Sequence, residues 1–304
     1  MKNNTVVIAA DAKYFWGVFI AIASMRKNGM DEPVLVYQCG FTDEMKRNLG
    51  RFGDVEIVTA PKSDRSFATR KAEAMLVPTS EYVTWVDADG FFLGNCSELL
   101  PPESPEDIHI RVREDAEFSS YLVASGDSRK RGEYARIWAR DVGVPEDAMP
   151  RIRNGVSSCF LSVHRSQRPF LEWWDRQMLA VLVDRSLKRG PYYLLDEPVL
   201  SSLLMYLPNA PLPKEFRLDK VLNRRFRHMV GVPKPWVCWS AETWRFHSEV
   251  MEIISWSRGQ GFIDLRLPFC LNPDHGRFHR STLFLAYAIR LKMRLRKIWA
   301  RSVS

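Results

Sequence analysis

The sequence predicts an α/β protein whose mostly parallel β-sheet is covered by helices on both faces. Short apolar runs typical of buried strands alternate with stretches of helical period from Thr5 to Val86. Successive parallel strands need crossover connections, and a helix between each pair of strands supplies them. The chain has 304 residues, of which 46% are hydrophobic and 12% aromatic, so it can bury a substantial core.

Local patterns justify each element of the amino-terminal half. The predicted buried strands are the short apolar runs at residues 5–10, 34–38, 55–58 and 82–86. The helices predicted between them cover residues 17–27, the stretch that starts at Thr42 and residues 70–77. Thr42 precedes two acidic residues, as expected of a helix N-cap, and Pro78 ends the third helix. The series predicts a parallel βαβ arrangement.

The carboxyl-terminal half has a looser pattern. Further strands are predicted at residues 108–112 and 154–163, and further helices at residues 131–140, 169–183, 196–206 and 281–301. The aromatic-rich stretch at 236–273 has no clear period. We therefore divide the chain into an α/β domain over residues 1–240, an extension over 241–280 and a terminal helix over 281–304.

The distribution of charge argues against nucleic-acid binding. The net charge is +8, but eight basic residues and no acidic residue lie from Arg277 to the end, which leaves 36 of each in the rest. A nucleic-acid-binding domain carries its basic face within the fold. The five cysteines form no CxxC pair, and no signal peptide precedes the first strand, so we expect a cytoplasmic protein without disulfides or a zinc cluster.

Two carboxylates follow the strand predicted at 82–86. Asp87 and Asp89 are two residues apart, so their side chains point to the same side if the backbone stays extended. The carboxyl ends of parallel strands open into the ligand crevice of such sheets, and carboxylates there suit a divalent cation. The sequence predicts a metal site; a polar turn ahead of Gly90 is the alternative interpretation.

A second motif combines His228, Gly231, Lys234, Pro235 and Trp236 within nine residues. The imidazole offers a third metal ligand, the glycine permits close backbone approach to a phosphate, and the lysine neutralises diphosphate charge. This HxxGxxKPW pattern resembles the signature of the family 8 glycosyltransferases, which include glycogenin and bacterial lipopolysaccharide galactosyl- and glucosyltransferases. The resemblance implies the Rossmann-like GT-A fold, a UDP-sugar donor and retention of anomeric configuration.

The resemblance extends over roughly the first 240 residues and implies roles for the first strand. Ala9, Ala10, Asp11 and Tyr14 are similar to the family's uridine-binding opening, with Tyr14 stacked on the base. Lys71 stands where the family has a basic residue that reaches donor phosphate or sugar. A ring packed on the first helix and a surface lysine are the respective alternatives.

Three further segments are assigned by the same resemblance. Asp87 and Ala88 are placed beside the donor. Asp196 and Glu197 resemble part of the family's segment that faces the transferred sugar, although the family usually has glutamine at the second position. Helix capping is the alternative role for Asp196. Asn154 and Gly155 resemble a donor-contacting strand, with the asparagine displaced.

The sequence therefore predicts a metal-dependent glycosyltransferase. Asp87, Asp89 and His228 are the expected ligands of Mn²⁺, which we favour over Mg²⁺ because of the imidazole. Retention follows either from a covalent intermediate on Asp196 or Glu197 or from attack on the leaving-group face, and the residues do not distinguish them. A non-catalytic basic protein that binds a membrane or nucleic acid, with a degenerate transferase body, is the alternative.

The terminal helix predicts a membrane-surface partner. Apolar residues recur at spacings of three and four and so share one face; they are Phe284, Tyr287, Leu291, Leu295 and Ile298. Six basic residues in its second half would each cost roughly 3 kcal/mol near a bilayer centre, so the helix is not expected to cross. We expect it to lie on the inner face of the cytoplasmic membrane, near a glycan or lipid-linked acceptor.

Overall fold

The computed structural model describes residues 3–117, 131–152, 154–184, 186–187, 190–193, 195–213 and 224–302. The strands of the main sheet are β1 (Asn4–Asp11), β2 (Val34–Cys39), β3 (Val55–Thr59), β4 (Tyr82–Val86), β6 (Asp107–Glu117), β7 (Asn154–His164) and β8 (Leu212–Pro213). A separate small sheet pairs β5 (Gly90–Phe92) with β9 (Phe226–His228).

The main sheet has the order β3-β2-β1-β4-β7-β6-β8. The pairs β3-β2, β2-β1, β1-β4 and β6-β8 are parallel, whereas β7 runs antiparallel to both β4 and β6. The predicted mixed, mostly parallel α/β sheet is therefore confirmed. The four strands predicted in the first 90 residues coincide with β1 to β4.

The helices cover both faces of the sheet. They are α1 (Phe15–Lys27), α2 (Asp43–Gly50), α3 (Lys71–Met75), α4 (Arg131–Val142), α5 (Arg168–Val183), α6 (Asp196–Tyr206), α7 (Ala241–Trp244), α8 (His247–Gly259) and α9 (Thr282–Ser302). Thr42 caps α2 by accepting a hydrogen bond from the amide of Met45, as its sequence position predicts.

Strand β1 divides the core because its side chains alternate between the two faces. Val6 and Ile8 join a core that contains α1 and α8, whereas Val7 and Ala9 join a second core with α3, α5 and α6. All four side chains are buried, which explains why this strand reads as an unbroken apolar run.

The extension predicted for residues 241–280 forms α7, α8 and short 3₁₀ turns. Val250, Ile253 and Ile254 of α8 are buried in the same core as α1, so the extension packs on α1 and shares the core on that face of the sheet. This packing covers the α1 side of the molecule and leaves the carboxyl ends of β1 and β4 open.

Helix α9 contacts the rest of the protein through one face. Ala286 is buried, and Leu283 and Ile289 pack against the core that contains α1. Arg290 donates to the carbonyl oxygen of Val232 at 2.7 Å and forms an ion pair with Glu242. Within the described part of the chain, no helix has the length and apolar character needed to span a bilayer.

Candidate active site

A cavity of about 630 Å³ opens where β1 and β4 end. Its volume is in the range of small-molecule sites, and its position is the ligand crevice expected of an open α/β sheet. Ten of the residues predicted from the sequence line it: Ala9, Ala10, Asp11, Tyr14, Lys71, Asp87, Ala88, Asp89, Asp196 and Glu197.

The small sheet brings together the two motifs that the sequence predicts to bind a metal. In the antiparallel pairing of β5 and β9, Gly90 lies opposite His228, which sets the imidazole beside Asp89. His228 Nε2 is 2.9 Å from Asp89 Oδ1 and 3.6 Å from Asp87 Oδ2. The ligand atoms of the three residues lie within 4.8 Å of one another, a grouping found once among the described residues.

Two carboxylates and one imidazole fit a divalent transition-metal ion. Carboxylate oxygens provide hard ligands, and the imidazole nitrogen suits Mn²⁺ or Zn²⁺ better than Mg²⁺. All three side chains are at least half buried, so they are held in place by packing rather than extended into solvent. The donor set is therefore compatible with the ion predicted from the sequence.

Charged neighbours keep Asp89 ionised. Burial raises the pKa of Asp89, but the hydrogen bond from His228 and the charge of Lys234 outweigh burial, so the net shift is downward. Burial lowers the pKa of His228, and the bond with Asp89 reverses that effect and raises it. Lys234 contacts the second oxygen of Asp89 and donates to the carbonyl oxygen of Met229 at 2.9 Å.

Glycine at position 17 allows α1 to begin directly beneath the acidic motif. A Cβ atom at Gly17 would lie 2.2 Å from the carbonyl oxygen of Ala88 and 2.6 Å from the ring of Trp236. Any larger residue would push the backbone between Asp87 and Asp89 outward. The sequence analysis assigned no role to Gly17, because a glycine early in a helix has no distinctive pattern.

Trp236 ties the HxxGxxKPW loop to the end of β1. Its indole Nε1 donates to the carbonyl oxygen of Lys13 at 2.8 Å, and its ring meets Tyr14 edge-on at 5.5 Å. Asp11 accepts a hydrogen bond from the amide of Lys13 and so shapes the turn that presents Tyr14. Burial, followed by the charges of Asp89, Asp11 and Asp87, raises the pKa of Tyr14.

Asp196 and Glu197 begin α6 and face the cavity. Ser158 Oγ donates to Asp196 Oδ2 at 2.6 Å, and Ser157 Oγ donates to Glu197 Oε1 at 3.0 Å. Asp196 does not cap the helix, because the cap position belongs to Leu195, which has a φ of 60°. The capping alternative for Asp196 is therefore wrong.

Lys71 lies on the cavity wall at the start of α3, and its side chain is only 4% exposed. Its ammonium group is 2.8 Å from Asp87 Oδ1, 2.9 Å from Asp196 Oδ2, and 2.8 Å and 3.0 Å from the Oγ and carbonyl oxygen of Ser158. Burial lowers the pKa of Lys71, but Asp196 and Asp87 more than compensate and the pKa is raised. The surface-lysine alternative is wrong.

Gly231 and Gly155 are not among the described residues that line the cavity. Gly231 has a φ of 120° and sits beside Arg290 and Glu242 in the loop before Lys234. Gly155 is buried in β7, and Asn154 begins that strand with a side chain that lies outside the described part. Donor contacts by these three residues stay predictions.

Several lining residues were missed by the sequence analysis. Ser157 and Ser158 bind the α6 carboxylates, and Trp85 Nε1 donates to Asp87 Oδ1 at 2.7 Å. Arg65 and Arg70 line the wall formed by residues 61–70, and both contact Glu73. The adjacent serines inside an apolar strand were a usable signal, since buried hydroxyl groups need partners.

Comparison of the structure with solved proteins defines its fold. WbbM, a bifunctional glycosyltransferase, superposes with a TM-score of 0.55 at 12% identity over 77% of this chain and 47% of its own. An active-site mutant of the protein LgtC superposes with a TM-score of 0.51 at 11% identity. This superposition covers 85% of this chain and 100% of the mutant chain. LgtC, described as a galactosyltransferase in complex with donor and acceptor sugar analogs, superposes with a TM-score of 0.47 at 12% identity. This superposition covers 76% of this chain and 89% of the LgtC chain.

These superpositions show a GT-A-type α/β fold shared with glycosyltransferases. The chain spans about half the length of WbbM and the full length of the LgtC mutant chain. No protein-family model matches the chain. No curated protein sequence is significantly similar to it.

Proposed function

We propose that this chain is a metal-dependent retaining glycosyltransferase that moves a sugar from a UDP-sugar to a glycan or glycolipid acceptor. The observation that carries the proposal is the grouping of Asp87, Asp89 and His228, of which the two aspartates follow β4 and line the cavity. The fold shared with known glycosyltransferases supports the same reaction class.

The cavity offers distinct groups to the parts of a nucleotide sugar. Tyr14 presents an aromatic ring suited to stacking on the base, and Asp11 is beside it. Lys234, close to Asp89, provides a positive charge for the diphosphate. Asp196 and Glu197 lie on the cavity wall, where we place the transferred sugar.

The proposed Mn²⁺, with Mg²⁺ as the second candidate, would be held by Asp87, Asp89 and His228. When bound, such an ion neutralises the charge that develops on the departing diphosphate. Trp85 holds one oxygen of Asp87 by its indole N–H, which leaves the other carboxylate oxygen directed toward His228. The protein residues therefore orient the ligands independently of the donor.

Two routes to retention are compatible with the site. In one, Asp196 or Glu197 attacks the anomeric carbon as its bond to UDP breaks, and the acceptor hydroxyl then displaces the carboxylate. In the other, the acceptor hydroxyl attacks from the leaving-group face as the bond to UDP breaks. In both routes the phosphate of the departing UDP takes the acceptor's proton. Asp196 is bound by Lys71 and Ser158, whereas Glu197 accepts a hydrogen bond from Ser157. The two carboxylates thus contact different side chains, and single substitutions can separate their roles.

We also propose that the protein acts at the inner face of the cytoplasmic membrane on a lipid-linked acceptor, as in lipopolysaccharide or surface-polysaccharide synthesis. Helix α9 packs through Ala286, and the four residues of the predicted apolar stripe whose side chains the structure describes are exposed: Phe284, Tyr287, Leu291 and Leu295. Phe284 is 81% and Tyr287 is 72% exposed. An apolar face with basic flanks is typical of interfacial helices.

The decisive test is UDP release from a panel of UDP-sugars. We expect turnover with at least one of them in the presence of Mn²⁺ and loss of that turnover in chelator or in Asp89→Ala, by roughly 100-fold or more. Asp274→Ala, which removes an exposed carboxylate paired with Arg258, is the matched control and should keep full activity. Undiminished turnover in chelator would exclude the metal-dependent reaction.

A further inference from the structure

The ammonium group of Lys71 lies between the two acidic motifs of the site. It meets one carboxylate oxygen from Asp87, one from Asp196, and both oxygens of Ser158, all between 2.8 and 3.0 Å. An ammonium group has three N–H bonds, so four acceptors leave it no bond for a further partner. The buried side chain has no free donor to offer a phosphate.

Ser158 couples the lysine to Asp196. Its hydroxyl oxygen accepts from Lys71, and its single hydrogen is donated to Asp196 Oδ2 at 2.6 Å. The same carboxylate oxygen also contacts the ammonium group. Asp196 is therefore fixed at one oxygen by two donors from different elements, β7 and α3.

The arrangement counters a repulsion that is built into the cavity. Asp87 follows β4 and Asp196 begins α6, and both carboxylates approach the same ammonium group. Two carboxylates that both lie within 3 Å of the same ammonium group are close enough to repel each other strongly in a partly buried site. A cation shared between them fixes their separation, which a neutral side chain cannot do.

We propose that Lys71 and Ser158 are positioning residues that set Asp196 against the metal ligand Asp87, and that Lys71 does not bind the donor phosphates. This proposal rests on the proposed glycosyltransferase function and refines the role that the family resemblance implied for Lys71. Donor binding is assigned to Tyr14 and Lys234.

If Lys71 is a positioning residue, its substitution should change the turnover rate without changing the affinity for UDP. Lys71→Met keeps the length of the side chain and removes its charge, so it should lower kcat by about 100-fold while the Kd for UDP with Mn²⁺ changes by less than about threefold. Lys234→Met is the matched control and should raise that Kd at least tenfold. Titration calorimetry with UDP and Mn²⁺, and UDP-release kinetics, supply the two readouts.

A milder variant covers the case in which Lys71→Met fails to fold. Ser158→Ala removes one hydroxyl and leaves both ion pairs of Lys71 in place. We expect kcat to fall by about tenfold with the Kd for UDP again unchanged. A raised Kd at constant kcat in either variant overturns the proposal.

A double-mutant cycle tests whether Lys71 acts through Asp196. In an Asp196→Asn background, Lys71→Met should lower kcat by less than about threefold further, because the group that it positions has already lost its charge. A further 100-fold loss would show that Lys71 acts independently and would overturn the proposal.

The wild-type protein distinguishes this proposal from the function on which it rests. If it releases UDP and Lys71→Met loses UDP affinity, the positioning role is wrong and the transferase function stands. If it neither binds UDP nor turns over any UDP-sugar, the proposed function fails and the positioning role fails with it.

Discussion

Adjacent carboxylates at the start of α6 occupy different environments. Asp196 is paired with Lys71 and also bound by Ser158, whereas Glu197 accepts a hydrogen bond from the hydroxyl of Ser157. An ion pair lowers the nucleophilicity of a carboxylate because its charge is already stabilised. If one of the two forms a covalent intermediate, the contact with Lys71 therefore weighs against Asp196.

Glu197→Gln tests whether Glu197 is the nucleophile instead, since the amide keeps the size of the side chain and removes its charge. If Glu197 is the nucleophile, kcat should fall by about a thousandfold or more, with the Kd for UDP unchanged. Steady-state UDP release and mass spectrometry for a glycosyl adduct on the wild type provide the measurement. Activity within threefold of the wild type would instead favour attack from the leaving-group face.

At the residue scale, the sequence identified the groups that carry chemistry and missed those that orient them. Asp87, Asp89 and His228 stand in recognisable motifs, and the structure groups them. Ser158 and Gly17 do not stand in a recognisable motif, because their roles depend on contacts with Asp196 and Ala88, which are distant along the chain. A role set by tertiary contacts has no local spacing for a sequence pattern to detect.

At the scale of elements, the spacing of apolar residues predicted the positions of the main-sheet strands and of most helices. It did not predict the small sheet. Strands β5 and β9 have three residues each, too few for an alternation to be recognised. Their pairing nevertheless positions His228, since Gly90 lets the ring of Phe226 approach within 2.4 Å of where a Cβ would be. The antiparallel direction of β7 could not be predicted either, because a buried strand has the same apolar pattern whether it runs parallel or antiparallel to its neighbours.

A histidine pair links α8 to the 3₁₀ segment before α9. His279 Nε2 donates to the carbonyl oxygen of Phe269 at 3.0 Å, so its Nδ1 accepts from His247 Nε2 at 2.9 Å. A second proton on His279 would have to occupy Nδ1, so the bond would then require His247 to change tautomer and accept at Nε2. Burial lowers the pKa of both residues, and the charge of His279 lowers that of His247 further.

The histidine pair predicts a loss of stability in mild acid. Because the folded-state pKa values lie below the ordinary value of about 6.5, the unfolded chain binds more protons as the pH falls below it. The contribution of this pair to stability should therefore decrease between about pH 7 and about pH 5. The raised pKa of His228 acts in the opposite direction, but it is common to the wild type and to a variant of the pair. Thermal unfolding should show a smaller decrease for His247→Phe, which retains the stack on Trp244; an identical pH dependence would contradict this role.

At the scale of the whole molecule, the active site and the outward face of α9 are connected through one loop. The loop that joins His228 to Lys234 carries the exposed valines Val230 and Val232. Arg290 of α9 donates to the carbonyl oxygen of Val232, so the helix is anchored beside the metal-binding motif. A surface bound through α9 would therefore lie next to the loop that holds the proposed ligand and phosphate-binding groups.

Charge reversal on α9 tests the proposed membrane contact without disturbing the buried face of the helix. Lys292 and Arg294 are exposed and flank the apolar stripe, and each basic residue near an anionic surface contributes about 1 kcal/mol. Reversing both should weaken binding to anionic liposomes by at least about 30-fold. UDP release with a soluble acceptor should stay unchanged, because neither residue contacts the cavity.

The control for that experiment is Arg47→Glu combined with Arg176→Glu, which makes the same change in net charge at exposed positions on α2 and α5. Because the control leaves the α9 surface intact, its liposome binding should match that of the wild type. Cosedimentation with anionic and with neutral vesicles, at low and high salt, distinguishes a surface contact from a general charge effect. Equal losses in both double variants, or binding that is insensitive to salt, would show that α9 does not hold the protein at the membrane.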